Sequence, residues 1–273
     1  DVPDPTVFGQ PYTVTAAVSV TAPGAGTPTG SILVSDGTNN CLFTLPATSC
    51  MLASTSVGAK TLTATYSGDP NFNGSVSPGV AHQVNKADSA VTVLPSINPT
   101  TYGQTLTMTA TMTAVAPGSG IPLGTVNFRD GVTPIAGCQN VAVNAAGSAT
   151  CTTAALPAGV NKAIHADYSG DANFNGNTAS SLQTILKAAL NVTASSATVT
   201  YGDAVPVITP SYAGFVLGEG AGNLTPAPTC STTYTATSGV AGSPYPTTCS
   251  GGVSNNYNFN YIGGQVLVNR KAL

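Results

Sequence analysis

The chain has 273 residues, a formal net charge of −3 and only 6% charged residues, against about a quarter in an ordinary soluble domain. Its few cations exclude a basic nucleic-acid-binding surface, and its apolar runs end well before the roughly 18 residues that a membrane-spanning helix needs. A hydrophobic share of 42% excludes general disorder, and the Ser, Thr, Asn and Gln that must form the polar surface are typical of secreted β-proteins.

In chain order, the predicted elements are short β-strands. Apolar residues alternate with polar or small ones over residues 12–18, 32–34 and 62–66. A period of two predicts strands with one buried face, and Asp36-Gly37 after the second series signals a hairpin turn. No segment keeps an apolar period of 3.6 residues, so we expect almost no helix.

The same elements then recur in the same order. Three pairs of segments match: FGQPYTVTAAVSV from Phe8 with YGQTLTMTATMTA from Tyr102, TPTGSILVSDG from Thr27 with IPLGTVNFRDG from Ile121, and YSGDPNFNG from Tyr66 with YSGDANFNG from Tyr168. Two copies of one module therefore follow each other. Six or seven short strands in about 90 residues predict an antiparallel β-sandwich for each copy.

Lys-Ala pairs mark the joints between modules. The three pairs at the joints begin at Lys86, Lys187 and Lys271. We therefore predict modules at residues 1–87, 88–187 and 188–273, with residues 271–273 as the start of a following module. Only seven residues precede FGQ in the first module, whereas about 15 separate Lys-Ala from YG in the next, so we expect a segment cut from a longer array at both ends.

The six cysteines fall into three close pairs. They are Cys41 with Cys50, Cys138 with Cys151, and Cys230 with Cys249. Neither the short C-x-x-C pairs of zinc or redox sites nor nearby histidines accompany them. An even number of cysteines in spaced pairs predicts three local disulfides and an oxidising compartment. Each disulfide should stabilise the fold by about 3 kcal/mol. In the first two modules we expect the bridge to join neighbouring strands near mid-sequence and not to be the inter-sheet bridge of antibody domains, whose cysteines lie much farther apart.

At this point the motifs resemble a known family. Over roughly residues 5–186 the chain is similar to the bacterial immunoglobulin-like repeat of large surface and secreted proteins. Three motifs carry the resemblance, in this order: YGQ followed by alternating Thr, P-x-G before a strand that ends in D-G, and Y-S-G-D-x-N-F-x-G. The third unit, with YGDAVPVITPSYAGF and SNNYNFNYIGG, resembles the MBG domain of the YGX type. The resemblance implies an all-β chain of tandem antiparallel immunoglobulin-like sandwiches and a third module that is all-β or β-grasp-like.

A repeated D-x-N-x-N-G pattern is the best candidate for a metal site. It comprises Asp69, Asn71 and Asn73, and again Asp171, Asn173 and Asn175. These residues match the first half of an EF-hand calcium loop. The bidentate Glu is missing, because Val80 and Leu182 stand in its place. We therefore favour strand-connecting loops in which Asp and Asn bind their own backbone, and we predict no metal and no cofactor.

Catalysis has little support in the sequence. The two histidines, His82 and His165, lie at unmatched positions, and we expect both to be solvated or on a strand face. Glu219 is the only Glu, so a carboxylate pair for hydrolysis would need an Asp from a turn. We predict that the chain is not an enzyme.

Aromatic residues cluster in the third unit at Tyr245, Tyr257, Phe259 and Tyr261. Alternation places the last three on one strand face, which favours a core position over a binding surface. A glycan or protein site formed by these side chains is the alternative.

We predict a structural array of extracellular bacterial modules that acts as a stalk or adhesin-like rod, at the cell surface or secreted. Its partners would be neighbouring modules of the same longer chain or identical subunits, or a host or matrix glycan or protein. One alternative is a filament subunit whose short first module is completed by a strand from another subunit. A second alternative is a binding module centred on residues 188–273.

Overall fold

The computed structural model describes residues 1–272, in which short strands follow one another along the whole chain. Internal contacts divide the chain into two compact units: residues 1–94, 109–151 and 164–181, and residues 95–108, 152–163 and 182–273. Among the described residues, no helix is long and apolar enough to cross a membrane. The helices of residues 1–272 are two single 3-10 turns, Ala221–Asn223 and Val240–Gly242.

The first repeat forms two sheets. Its strands are β1 (Thr6–Val7), β2 (Tyr12–Thr15), β3 (Ser31–Ser35), β4 (Asn40–Thr44), β5 (Ser49–Leu52), β6 (Gly58–Tyr66), β7 (Ser75–Val76) and β8 (Val80–Asn85). One sheet has the order β1-β8-β6-β3-β4 with β7 beside β6, and β2 pairs with β5 in the other. Alternate side chains of both sheets, among them Tyr12, Ile32 and Tyr66, form one apolar core, as strand periodicity requires.

The second repeat has the same two-sheet arrangement, with a third strand in its smaller sheet. Its strands are β9 (Ser89–Pro95), β10 (Thr100–Thr101), β11 (Leu106–Ala114), β12 (Thr125–Asp130), β13 (Thr133–Pro134), β14 (Val141–Ala142), β15 (Ser148–Thr153), β16 (Gly159–Tyr168) and β17 (Asn177–Leu186). The sheets are β10-β17-β16-β12-β13, with β14 beside β12, and β15-β11-β9. Strand β9 has no counterpart among the described strands of the first repeat.

The third unit of the sequence, which follows the two repeats, consists of strands and the two 3-10 turns. Its strands are β18 (Ala188–Ala194), β19 (Ala197–Thr200), β20 (Pro210–Ala213), β21 (Thr229–Thr232), β22 (Tyr245–Ser250), β23 (Tyr257–Ile262) and β24 (Gly264–Asn269). They form the sheets β20-β18-β23 and β19-β24-β22-β21, in which β18–β23 and β19–β24 are parallel pairs. The prediction of an all-β chain is confirmed. Of the segment predicted to start a fourth module, Leu273 lies outside the described residues.

All three predicted cysteine pairs are disulfide-bonded, but the expected position of the first two is wrong. Cys41 lies in β4 and Cys50 in β5, which belong to different sheets. Likewise, the Cys138 carbonyl accepts a hydrogen bond from Phe128 of β12, whereas Cys151 lies in the opposite sheet in β15. The chain crosses between the sheets within this short loop, so the bridge joins the sheets.

The third bridge follows the expected local pattern. Cys230 and Cys249 face each other across the antiparallel pair β21–β22, with their Cα atoms 4.0 Å apart. This disulfide therefore joins two neighbouring strands of one sheet.

Candidate functional site

The first Lys-Ala linker binds the loop that carries the D-x-N-F motif of the second repeat, within one compact unit. Ala87 is completely buried. Its N–H donates to the Asn173 carbonyl and its carbonyl accepts from the Asn175 N–H, both at 2.9 Å. The Lys86 ammonium donates to the Asp171 carbonyl. The linker is thus held as a short parallel β-bridge and not as a free tether.

An aromatic pair completes this junction. Phe8, the aromatic residue of the FGQ turn, meets Phe174 edge to face with ring centroids 5.5 Å apart. Phe174 is only 1% exposed. Beside the pair, the Ser119 hydroxyl donates to the Gly9 carbonyl at 2.7 Å. Such aromatic contacts contribute about 0.5–1.5 kcal/mol beyond the apolar area they bury.

The second Lys-Ala linker is bound in the same way inside the other compact unit. The Ala188 N–H donates to the Asn256 carbonyl at 2.9 Å, and Ala188 pairs with Tyr257 at the start of the parallel β18–β23 ladder. The Lys187 ammonium donates to the Ser254 carbonyl. As in the first junction, the lysine binds the carbonyl three residues before the aromatic residue.

Here too the YG turn supplies an aromatic ring. Tyr102 meets Tyr257 edge to face, with ring centroids 5.7 Å apart, and both are almost fully buried. Their hydroxyls donate to the two oxygens of Glu219. Burial, followed by the hydrogen bond to this carboxylate and its charge, raises the pKa of Tyr102 to about 12. Both tyrosines therefore stay neutral donors at ordinary pH.

Within residues 1–272, the aromatic residues of the third YG turn and of the first repeat's loop are not covered by such a junction. Tyr201 of the third YG turn is 46% exposed, although its N–H is bonded to the Asn269 carbonyl just as the Tyr102 N–H is to Leu186. Phe72, in the matching loop of the first repeat, is half-buried. The motif therefore forms its turn without a junction, and the junction is what buries the ring.

The candidate metal ligands serve these loops as backbone acceptors. Asp69 Oδ1 accepts from the Asn71 and Phe72 N–H groups, and Oδ2 accepts from the N–H and hydroxyl of Thr29, at 2.7–2.9 Å. These bonds, first that from the Thr29 N–H, lower the pKa of Asp69 to about 2. Gly68 has φ 77°, which only glycine adopts readily.

The second copy of this loop repeats these contacts. Asp171 accepts from the N–H groups of Leu123, Asn173 and Phe174. Burial acts to raise the pKa of Asp171, but these bonds outweigh it and lower the pKa. The Asn175 amide donates to Asp88. Both carboxylates are therefore occupied by backbone donors that shape the loop.

His82 lies on the buried face of strand β8 and not in solvent. It is 2% exposed in the core, where its ring stacks on Tyr12 at 4.0 Å. Nε2 is 2.8 Å from the Thr6 hydroxyl, and Nδ1 is 2.5 Å from Asp1 Oδ2 and 3.3 Å from Asp4 Oδ1. Burial lowers the pKa of His82 although Asp4 opposes it, which favours a neutral ring that donates to Asp1 and accepts from Thr6.

Asp1, Asp4 and His82 have ligand atoms close enough together to hold a cation. The second repeat indicates a structural use of this position. Asp4 accepts from the Gln83 N–H, and Asn98 accepts from the Thr184 N–H in the same place. A neutral amide performs the same task there, so the arrangement does not require a metal.

The remaining predicted site residues are dispersed. His165 lies half-buried in β16 opposite Arg129. The Tyr245 hydroxyl donates to the Gly239 carbonyl, and Tyr257 belongs to the second junction. Only Phe259 and Tyr261 stack on each other, at 5.9 Å, so the four aromatic residues do not form one surface.

Sequence reasoning missed the junction residues. The missed set is Phe8, Ala87, Tyr102, Phe174, Ala188 and Glu219. The signal was present, because the Lys-Ala pairs at Lys86 and Lys187 each precede a module that contains an N-F or N-N-Y loop. Recognising it required knowing that the linker pairs with that loop.

Comparison with known domains identifies the repeats. Residues 1–85 and 93–186 match the model of the bacterial Ig-like domain (group 3), and residues 190–267 match that of the MBG domain (YGX type). No curated protein matches the chain.

Among solved structures, the chain is similar to the Clostridium thermocellum CbhA fibronectin(III)-like modules, with 18% identity, 68% of this chain and 93% of that chain covered, and a TM-score of 0.27. It is also similar to three N-terminal domains of the bacteriophage RB49 Highly Immunogenic Outer Capsid protein, at 13% identity, 97% and 96% coverage and a TM-score of 0.29. The mouse nectin-like molecule 4 ectodomain is similar at 9% identity, with 97% of this chain and 97% of that chain covered and a TM-score of 0.33.

Proposed function

Because this chain belongs to the bacterial Ig-like domain (group 3) family and continues into an MBG domain of the YGX type, we propose that it is a structural module array of an extracellular bacterial surface protein. It acts as a stalk or adhesin-like rod that holds another part of the protein away from the cell. This proposed role involves no catalysis.

One observation carries the proposal: two successive linkers are bound by the same device. In each, a buried alanine pairs with an N-F or N-N-Y loop, while the aromatic residue of an FG or YG turn packs edge to face on that loop. A linker with its backbone groups paired has less freedom to bend than a solvated one. Linkers that are paired in this way at successive joints would keep the modules of an array at fixed spacing and let them transmit force.

The disulfides support the extracellular part of the proposal. Disulfides persist in oxidising compartments, and two of these join opposite sheets of their domain. A bridge between the sheets resists their separation under load. Neighbouring modules of the same kind are the partners expected from the exposed Tyr201 turn.

Single-molecule pulling of the full chain tests the proposal. We expect a separate unfolding event for each domain. The chain extension released in each event should increase when the disulfides are reduced, because an intact disulfide prevents the loop that it closes from being extended. The loops have sequence separations of 9, 13 and 19 residues, and roughly 3.3–3.6 Å per residue predicts increases of about 30, 45 and 65 Å. Unfolding at negligible force, with no reduction-dependent lengths, would contradict a mechanical role.

A filament subunit is the second candidate function. The observation that favours it is the low charge of the chain: only 6% of its residues are charged, and charged side chains are what normally keeps an exposed edge strand from pairing with another chain. A strand from another subunit added to such an edge would link copies. Negative-stain imaging at increasing concentration tests this candidate: filaments support it, and monomers at every concentration exclude it.

Recognition of a glycan or protein by the third unit is the remaining candidate. Phe259 and Tyr261 are the observation that favours it, because they stack on each other and Tyr261 is 39% exposed. Screening the full chain against glycans and matrix proteins tests it with Tyr261→Ala as the control variant. Binding that this substitution abolishes supports the candidate, and no binding rejects it.

A further inference from the structure

Two carboxylates of the first repeat converge on one imidazole nitrogen. Nδ1 of the buried His82 lies 2.5 Å from Asp1 Oδ2 and 3.3 Å from Asp4 Oδ1. The side chain of Asp1 is 6% exposed, and that of Asp4 is 39% exposed. Because Nδ1 carries one proton at most, a single donor faces two negatively charged acceptors.

The charge of these two carboxylates is not balanced by a basic side chain. Among residues 1–272, the ion pairs of Asp1 and Asp4 are with His82, and the other ion pair joins Arg129 to Asp167. Burial lowers the pKa of His82, so its ring is neutral at ordinary pH. Carboxylates brought together in this way repel each other. A cation bound between them would remove that repulsion.

The second repeat shows that the hydrogen bonds of this corner do not call for such a charge. The three equivalent positions differ together, and they hold Pro95, Asn98 and Gln183. Asn98 accepts a strand N–H as Asp4 does in the first repeat. The turn therefore forms with a neutral amide, and the two carboxylates with their imidazole are an addition specific to the first repeat.

The spacing of the three ligand atoms suits a small divalent cation. One atom each from Asp1, Asp4 and His82 lies within 4.8 Å of the others. Tetrahedral zinc, with bonds of about 2.0–2.1 Å, holds its ligand atoms roughly 3.3 Å apart. Nδ1 and Asp4 Oδ1 already have this separation. Asp1 Oδ2 reaches it when an ion replaces its hydrogen bond to Nδ1, and the exposed side of Asp4 leaves room for water as a fourth ligand.

A second set of contacts holds two of these ligands in place. Nε2 of His82 is 2.8 Å from the Thr6 hydroxyl, and Asp4 Oδ1 accepts from the Gln83 N–H at 3.0 Å. Histidines that bind a metal through one nitrogen almost always donate a hydrogen bond from the other. When a cation occupies Nδ1, the ring proton moves to Nε2 and is donated to the Thr6 oxygen. The ring remains neutral, so no proton is gained or lost.

We propose that Asp1, Asp4 and His82 bind one divalent transition-metal cation of the zinc type, with one nitrogen and two carboxylate oxygens as its protein ligands. The ion joins the segment ahead of β1 to strand β8, because Asp1 and His82 are 81 residues apart in sequence. The imidazole ligand favours zinc over calcium and magnesium, which prefer oxygen ligands. The inference goes beyond the array function and does not depend on it.

Calorimetric titration of the full chain with zinc chloride tests the proposal. We expect saturable binding of one equivalent, and binding of calcium at least about tenfold weaker. Asp4→Asn installs the Asn98 of the second repeat, so it should keep the fold but weaken zinc binding about tenfold or more. The matched control is His165→Gln, which removes the other histidine and should leave zinc binding unchanged. Absence of saturable binding, or undiminished binding by Asp4→Asn, overturns the proposal.

Nitrogen NMR of the His82 ring tests how the ion is bound. Zinc should transfer the ring proton from Nδ1 to Nε2, and the unfolding midpoint should rise with zinc concentration. Acetylation of the α-amino group of Asp1 should leave zinc binding in place, because the ligands are side chains. Loss of binding on acetylation, or an Nδ1 that stays protonated at saturating zinc, would assign the ion to another site and overturn the proposal.

Discussion

In the first Ig-like repeat the series from Tyr12 forms a four-residue strand, whereas the matching series of the second repeat is a nine-residue strand throughout. The two series are nearly equivalent in sequence. They differ in that β9 lies beside the second. Strand length here follows from the available neighbour more than from intrinsic propensity, in keeping with the context dependence of β-structure.

The D-x-N-F loops also differ between the repeats because of what packs against them. Asp69 and Asp171 bind their own loops in nearly the same geometry. Phe174 is buried because the Lys86-Ala87 linker and Phe8 cover it, and Phe72 is only half-buried. One motif therefore serves either as a loop or as half of a junction, depending on what is placed against it.

The largest expected difference between the repeats is at these phenylalanines. Phe174→Ala should cost about 3–5 kcal/mol, the usual cost of truncating a buried Phe, and should open the linker to trypsin after Lys86. Phe72→Ala is the matched control, with a cost of about 1–2 kcal/mol because its ring is partly solvated. Denaturant unfolding and timed trypsin digestion measure both effects. Equal sensitivity of the two variants would break the comparison.

Removal of the inter-sheet disulfides should give the next effect. Replacing both Cys138 and Cys151 by Ala is expected to cost about 3 kcal/mol or slightly more, because both are buried in the core. The Cys41 and Cys50 pair is half-buried and closes a shorter loop, so the same change should cost about 2–3 kcal/mol. Thermal unfolding of the two double variants checks the order, and a reversed order would contradict it.

A smaller effect distinguishes the two junctions. Tyr102→Phe removes the hydroxyl that binds Glu219 and should cost about 1 kcal/mol while keeping the edge-to-face ring contact. The first junction has Phe8 at this position, so the variant should retain linker protection. Hydrogen exchange at Ala188 measures that protection. Its complete loss would show that the hydroxyl, and not the ring, closes the junction.

The smallest predicted difference depends on pH. Because the pKa of His82 is lowered in the fold, the unfolded chain binds the proton more readily, and stability falls as pH drops below about 6.5. His82→Gln, which installs the Gln183 residue of the second repeat's matching strand, should remove this dependence. Unfolding midpoints between pH 7.5 and 5.5 measure it. An unchanged pH profile in the variant would assign the dependence to another group.

The sequence was sufficient for the parts of the structure that depend on local pattern. The period of two predicted strands such as β11, and proximity predicted the pairing of Cys230 with Cys249. Repetition of Y-S-G-D-x-N-F-x-G predicted two copies of one module. The bacterial Ig-like and MBG resemblance agrees with the family matches.

What it missed depends on contacts between distant residues. A period of two shows which side chains share a face, but not which sheet a strand joins, so the bridge at Cys41 was placed between neighbouring strands. The burial of His82 depends on Tyr12 and on Asp1, which is 81 residues away in sequence. The role of Glu219 depends on Tyr102, 117 residues away. No local pattern encodes such contacts.

Hydrogen exchange at the two linker alanines tests the central claim most directly, because their N–H groups donate to Asn173 and Asn256 only if the junctions are closed. We predict that Ala87 and Ala188 exchange about a hundredfold or more slowly than the exposed Ala272. Exchange of Ala87 and Ala188 as fast as that of Ala272, while core strands such as β11 stay protected, would contradict the account.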